Sequence, residues 1–221
     1  MLRQGFERHL REVQDKVLVM GSMVSKALSK SMDAIKTQDL DLAERIISDD
    51  KLINAKRYEI EEDCIKLIAT QAPIARDLRI IMAIVNMIVD LERIGDHAEG
   101  NAKIALMLGS EPPLKPYIDL PRMADKTVDM LNRALEAFVN RDAAAAEKIA
   151  TEDDEVDMLY DQIFRELLSF MVEDPKTISR ATRLIWAAHN FERSADRVTN
   201  ICERVVFLVT GKTEDINVSK Y

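Results

Sequence analysis

Glu92, Arg93 and Asp96 recur later in the chain, in the same order, as Glu192, Arg193 and Asp196. On a helix, carboxylates four residues apart share one face, separated by about 6 Å of axial rise. They can then hold a cation between them or repel each other. A single Glu-x-x-x-Asp beside an arginine is the ordinary pattern of a solvated helix face. Its return in the second half of the chain, in the same apolar setting, marks a candidate pair of sites.

Further ligands follow from how helices must turn. If the helices flanking residues 72 and 73 form an antiparallel hairpin, residues equidistant from the turn lie level with each other. That places Ile53 beside Glu92, and Asp49 or Asp50 beside Asp96. The same count about residue 174 places Val156 beside Glu192, and Glu152 or Asp153 beside Asp196. Each half therefore gathers carboxylates from two facing helices: Asp50, Glu92 and Asp96 in the first, Asp153, Asp157, Glu192 and Asp196 in the second. So many negative charges at one level need compensation, and two kinds are available. Arg57, Arg93, Arg193 and Arg197 can pair with the carboxylates. Alternatively a bound metal can do so, and an all-oxygen ligand set suits Mg, Mn, Ca or Fe.

The elements that must position these residues read as helices almost throughout. Glycine and proline are scarce, and no stretch shows the period-two alternation of half-buried strands. The first helix spans residues 6–37, with Val13, Val17, Met20, Val24, Ala27 and Ile35 at heptad-like spacing. Asp39 caps a second helix, whose stripe of Leu42, Ile46, Ile53, Ile60, Cys64 and Leu67 has one odd member, Asp50. Pro73 opens a third, apolar nearly all round between Ile80 and Leu91, which ends near Gly109. The proline-rich run from Ser110 to Tyr117 cannot be helical and marks the boundary between halves. A fourth helix follows Pro121 with Leu131, Ala134 or Leu135, and Phe138 inward. Asp142 starts a fifth, striped by Ile149, Val156, Tyr160, Ile163, Leu167 and Phe170, with Asp153 as its odd member. After Asp174-Pro175 a sixth runs to Thr210, before Gly211 and a polar tail through Tyr221.

The expectation is an all-α protein of two tandem, pseudo-symmetric, antiparallel three-helix bundles, over residues 1–110 and 118–221. The register of the repeat supports duplication of a whole bundle. Thr37 to Ile46 matches Asn140 to Ile149, Asp50 falls on Asp153, and Asn54 falls on Asp157.

Composition excludes several classes. With 31 basic against 39 acidic residues the formal net charge is −8, and the field of such a chain repels a phosphate backbone, so nucleic acid is not expected as a partner. No apolar run is long enough to span a bilayer. The charged first nine residues lack the apolar core of a secretory signal, so a cytosolic protein is expected. Cys64 and Cys202 read as buried thiols. Met20, Met23, Met82 and Met87 read as core fillers, and His189 and Trp186 as packed residues. His97, next to Asp96, reads as neither ligand nor switch. There is no Gly-rich phosphate loop and no nucleophile constellation.

The stretches Leu91-Glu92-Arg93-Ile94-Gly95-Asp96-His97-Ala98-Glu99 and Phe191-Glu192-Arg193-Ser194-Ala195-Asp196-Arg197, the latter followed by Asn200-Ile201-Cys202-Glu203, resemble the paired signature of the PhoU family of phosphate-transport regulators. The resemblance covers essentially the whole chain. It implies a cytoplasmic, non-enzymatic negative regulator of the phosphate-starvation response. Its implied partners are the ATPase subunit of the phosphate ABC transporter and a sensor histidine kinase, and a homo-oligomer, in the simplest case a dimer, is expected. It also implies metal binding by the paired motifs. Gly100, Asn101 and Lys103 depart from the family pattern, which weakens the expectation at the first site. The competing readings are a di-metal carboxylate oxidase, disfavoured because no glutamate here has a histidine three residues on, and a purely structural bundle with its carboxylates paired to arginines.

Overall fold

The computed structural model describes residues 2–212 and Ile216. Among the described residues the regular structure is entirely helical: α1 (Leu2–Thr37), α2 (Leu40–Gln71), α3 (Ala75–Leu108), α4 (Asp119–Asn140), α5 (Ala143–Thr151), α6 (Asp153–Glu173) and α7 (Ile178–Thr210). The polar tail expected after Gly211 lies outside the described residues, apart from Ile216.

Local chemistry accounts for the ends. Asp39 and Asp142 stand at matched positions and cap α2 and α5, each accepting a hydrogen bond from the backbone N–H three residues on, Leu42 and Ala145. Gly109 and Gly211 end α3 and α7 at positive φ, the conformation that glycine adopts without a Cβ penalty. Two expected starts shift. The third helix begins at Ala75, because Ala72 adopts a left-handed conformation that closes α2 first. The fourth begins at Asp119, so Pro121 sits inside its first turn, where a missing backbone N–H costs nothing.

Within the first repeat α1, α2 and α3 pack on one another, and within the second α4, α5, α6 and α7 do. The expected inward stripes are buried, including Val13, Val17, Met20 and Val24 on α1 and Leu131, Ala134, Leu135 and Phe138 on α4. The repeats also pack together through α3 against α7 and α1 against α4, so a single apolar core runs through both. Asp90 of α3 accepts from Asn200 of α7 at 3.2 Å, and Asn190 of α7 donates to Asn101 of α3 at 2.9 Å. Low numbers on one helix face high numbers on the other, so α3 and α7 run antiparallel. A Cβ on Gly100 would stand 3.0 Å from Asn190 Nδ2. Gly100 thus sits tightly against the Asn190 side chain at the repeat interface.

Three expectations are corrected. The fifth helix is not continuous: it breaks at Glu152, between α5 and α6, whereas its counterpart α2 runs unbroken. The break coincides with a clasp absent from the first repeat, in which Glu152 takes Lys126 and Arg133 of α4. Trp186 is 52% exposed and His189 is exposed as well, not packed in the core. Met82 is also exposed, while Met20 and Met87 fill the core as expected.

Because the matched caps each satisfy one otherwise unpaired helix N–H, Asp39→Ala and Asp142→Ala should each lower stability by about 1 kcal/mol. Urea unfolding of the two variants checks this, and a loss confined to one of them would mean that the caps are not equivalent.

Candidate metal centre

In each repeat the acidic residues lie where two long helices face each other. On α7, Glu192 and Asp196 are one turn apart. On α6, Asp153 occupies the first helical position and is 5% exposed, with Asp157 one turn on. In the first repeat, α3 carries Glu92 and Asp96, and the unbroken α2 carries Asp50. The facing expected from helix-turn geometry is present. A Cβ on Gly95 would meet Ile53 at 3.2 Å and Asp50 Oδ1 at 3.6 Å, so α2 packs tightly on α3 beside the motif. Ala195, buried, holds the matched place in α7.

The second group leaves negative charge uncompensated. Arg193 Nη1 donates to Asp196 Oδ2 at 2.5 Å. Asp153 Oδ1 and Glu192 Oε2, by contrast, are buried without a hydrogen-bond partner. Glu192 Oε2 lies 3.2 Å from His189 Nδ1, but not in hydrogen-bonding geometry. Burial, followed by the negative charges of Asp196, Asp157 and Glu192, pushes the Asp153 carboxyl up to about 7. Burial and the charge of Asp196 likewise push Glu192 up to about 7. Both groups thus resist ionisation at neutral pH unless something supplies positive charge.

The first group compensates itself. Arg57 Nη1 donates to Glu92 Oε1 at 2.8 Å, Arg93 Nη1 to Asp96 Oδ2 at 3.2 Å, and Asn54 Nδ2 to Asp50 Oδ2 at 2.8 Å. At the positions of Arg57 and Asn54 the second repeat has Tyr160 and Asp157. Burial still raises Asp50 and Asp96 above the ordinary carboxylate range, with neighbouring acids adding to it. Asp50 Oδ1 and Glu92 Oε2 remain without hydrogen bonds. Glu99, which the sequence reading did not promote, lies close enough to raise both Asp50 and Asp96 electrostatically. Its signal was its place one helical turn beyond Asp96, on the same face. Lys103 reaches Glu99 at 2.5 Å.

Other candidates separate from the sites. Glu203 is buried and accepts from the backbone N–H of Ile216, so it holds the segment after α7. Cys64 and Cys202 are buried, and burial pushes both thiols up to about 12, where they stay protonated. His97 is pushed down to about 4 by burial and by the guanidinium groups of Arg197 and Arg193.

Among the described residues no three His, Cys, Asp or Glu side chains form a ready coordination group. The donor chemistry of the second repeat nevertheless fits a hard cation. It offers oxygen donors only, two of them buried and unpartnered, with Arg193 engaged on Asp196. Asp196 would have to exchange Arg193 for the metal. The first repeat fits less well, because Arg57 already occupies the place of a countercharge.

A helical bundle duplicated head to tail, with a buried acidic cluster in each copy, defines the class of this protein. A family model described as the PhoU domain matches it twice, over residues 17–105 and 120–205. The phosphate-specific transport system accessory protein PhoU homolog of Clostridium acetobutylicum is 40% identical over 218 residues, covering 98% of this chain and all of the relative. The accessory protein PhoU of Escherichia coli is 37% identical over 207 residues, 94% of this chain and 86% of the relative. Crystal structures of PhoU from Streptococcus pneumoniae and Pseudomonas aeruginosa each superpose with a TM-score of 0.89. They are 34% and 36% identical and cover 95% and 94% of this chain, and 99% and 100% of their own. The chain belongs to the PhoU family. Among the described residues no helix is long and apolar enough to cross a membrane.

The raised carboxyls give a pH prediction. In the unfolded chain Asp153 and Glu192 titrate near pH 4, and in the fold near 7. The native state therefore binds more protons between those values, and its stability must fall as pH rises from about 4 through about 7. Metal-free protein in chelator should melt at a higher temperature at about pH 5 than at about pH 8, and Asp153→Asn should flatten the difference. A profile that rises over this window would show that the two carboxyls are compensated in solution.

Proposed function

We propose that the protein is a non-enzymatic, cytoplasmic adaptor that restrains phosphate uptake and the phosphate-starvation response. Its partners in this reading are the ATPase subunit of the phosphate transporter and a sensor histidine kinase, and it acts as a homo-oligomer, in the simplest case a dimer. The observation that carries the reading is the double family match in register with both carboxylate motifs. Relatives named as accessory proteins of the phosphate-specific transport system align with it over nearly their full length. The units of duplication are residues 1–110 and 118–221. Deleting the gene should raise alkaline phosphatase and phosphate-uptake expression in phosphate-rich medium, and crosslinking in cells should recover the ATPase subunit or the kinase. Low expression after deletion would overturn the reading.

The reading extends to the acidic clusters. In the second repeat Asp153, Asp157, Glu192 and Asp196 would hold a hard cation, Mg, Mn, Ca or Fe. When bound, the ion supplies the countercharge that the buried carboxylates lack. Asp50, Glu92 and Asp96 would hold one more weakly, since Asn54 replaces a carboxylate and Arg57 already pairs with Glu92. That ion pair also favours the purely structural reading for the first repeat alone. Titrating Mn into metal-free protein should show the tighter binding lost in Asp196→Asn and kept in Asp96→Asn. Loss of the tighter site in Asp96→Asn, or no effect of either change, would mean that charge count does not govern these sites.

A further inference from the structure

The two repeats differ most at the surface above their acidic clusters. In the first, a cleft of about 240 Å³ opens between α1 and α2, with Ile46, Ile53 and Gly95 at its floor beside Asp50. Lys26, Lys30 and Arg45 surround its mouth, together with Asp49. None of these three cations forms an ion pair among the described residues. The second repeat differs at the same position. Met130 replaces Ala27 and is fully buried. Lys126 and Arg133, the latter at the position of Lys30, both grip Glu152, which stands for Asp49. The hydrogen bonds from Arg133 in particular hold Glu152 well down, at about 2.

One scaffold thus carries a filled, clasped groove in one copy and an open groove with a cationic rim in the other, on a chain whose net charge is −8. The open groove is apolar at its floor and positive at its mouth. It is smaller than the roughly 300–1,000 Å³ of small-molecule pockets, and it lies between two parallel walls of helix, the shape that accepts apolar anchors of a docked segment. The carboxylates of Asp49 and Asp50 disfavour an anion at the floor, so a complementary ligand keeps its negative charge at the rim. We infer that this cleft docks an acidic amphipathic segment of a partner protein. Its apolar side chains enter between α1 and α2, and its flanking carboxylates meet Lys26, Lys30 and Arg45. The inference rests on the adaptor reading for the existence of a partner, and it names the face of the adaptor that is used.

The test uses a defined probe and the full chain. A fluorescein-labelled helical peptide of about 15 residues, with Leu and Phe at i and i+4 and glutamates flanking them, is titrated by anisotropy against its lysine-flanked counterpart. Wild type should bind the glutamate peptide at least about tenfold more tightly, and increasingly weakly as salt rises. Lys26→Glu, Lys30→Glu and Arg45→Glu combined should reverse that preference. Ala27→Met, which copies the second repeat, should abolish binding of both peptides without lowering the melting temperature. Equal binding of the two peptides, or unchanged binding by the variants, overturns the inference. So does a change of oligomeric state in the triple variant, which would assign the cleft to a second copy of this chain. Because the probe is synthetic, failure to recover the transporter or the kinase from cells would overturn the adaptor reading and leave this result standing.

Discussion

Everything around the two motifs follows from the cost of holding several carboxylates together where water is largely excluded. An uncompensated buried charge is far more expensive than any one contact in the bundle can offset. The chain therefore meets it with guanidinium, with amide, or with a raised carboxyl pKa that keeps the group protonated. In the first repeat Arg57 and Asn54 do the first two. In the second Arg193 is engaged on Asp196, and Asp153 and Glu192 have raised carboxyl pKa values. The small residues Gly95 and Ala195 belong to the same constraint, because they let the facing helices approach closely enough to enclose the carboxylates.

The clusters are not isolated from the junction between repeats. Arg197, one residue beyond Asp196, reaches Asp90 on α3 at 3.5 Å. His97, one residue beyond Asp96, is half-buried near Arg193 and Arg197. The same two helices, α3 and α7, thus present one face to the carboxylate sites and the adjacent face to each other. A bundle built from separate domains would not connect them. Here Asp90 and Asn190 occupy matched positions, and each makes a contact across the α3–α7 interface, with Asn200 and Asn101 respectively.

Much of this was legible in the sequence, for definable reasons. Stripe periodicity located the core because burial is the main term that long helices satisfy. Caps at Asp39 and Asp142 were visible because they depend on residues only three apart. Counting from the turns brought Asp49 or Asp50 to the level of Asp96, within a residue of where Asp50 lies beside Gly95, because antiparallel helices share one rise per residue. What escaped depends on side chains far apart in the chain. The break at Glu152 coincides with partners on α4, which no local pattern around Glu152 reveals. Trp186 followed apolar periodicity yet faces solvent, because hydrophobicity alone does not say which side of α7 the other helices cover. The close contact of Gly100 with the Asn190 side chain, ninety residues on, could not be read from its own neighbourhood.

The asymmetry of the pair is concentrated at few matched positions, and each difference has a direct physical consequence. Asp157 for Asn54 and Tyr160 for Arg57 add one negative charge and remove one positive charge at the second cluster. Glu152 for Asp49 lengthens a carboxylate by one methylene, and Arg133 for Lys30 supplies the planar fork that grips it in two hydrogen bonds. Met130 for Ala27 then fills the space that the clasp covers. The core stripes are buried in both copies, while the break at Glu152 has no counterpart in the continuous α2. Duplication has thus produced one bundle with more acid and fewer arginines at its cluster, and another in which Arg57 and Arg93 partner the cluster beside an open cleft.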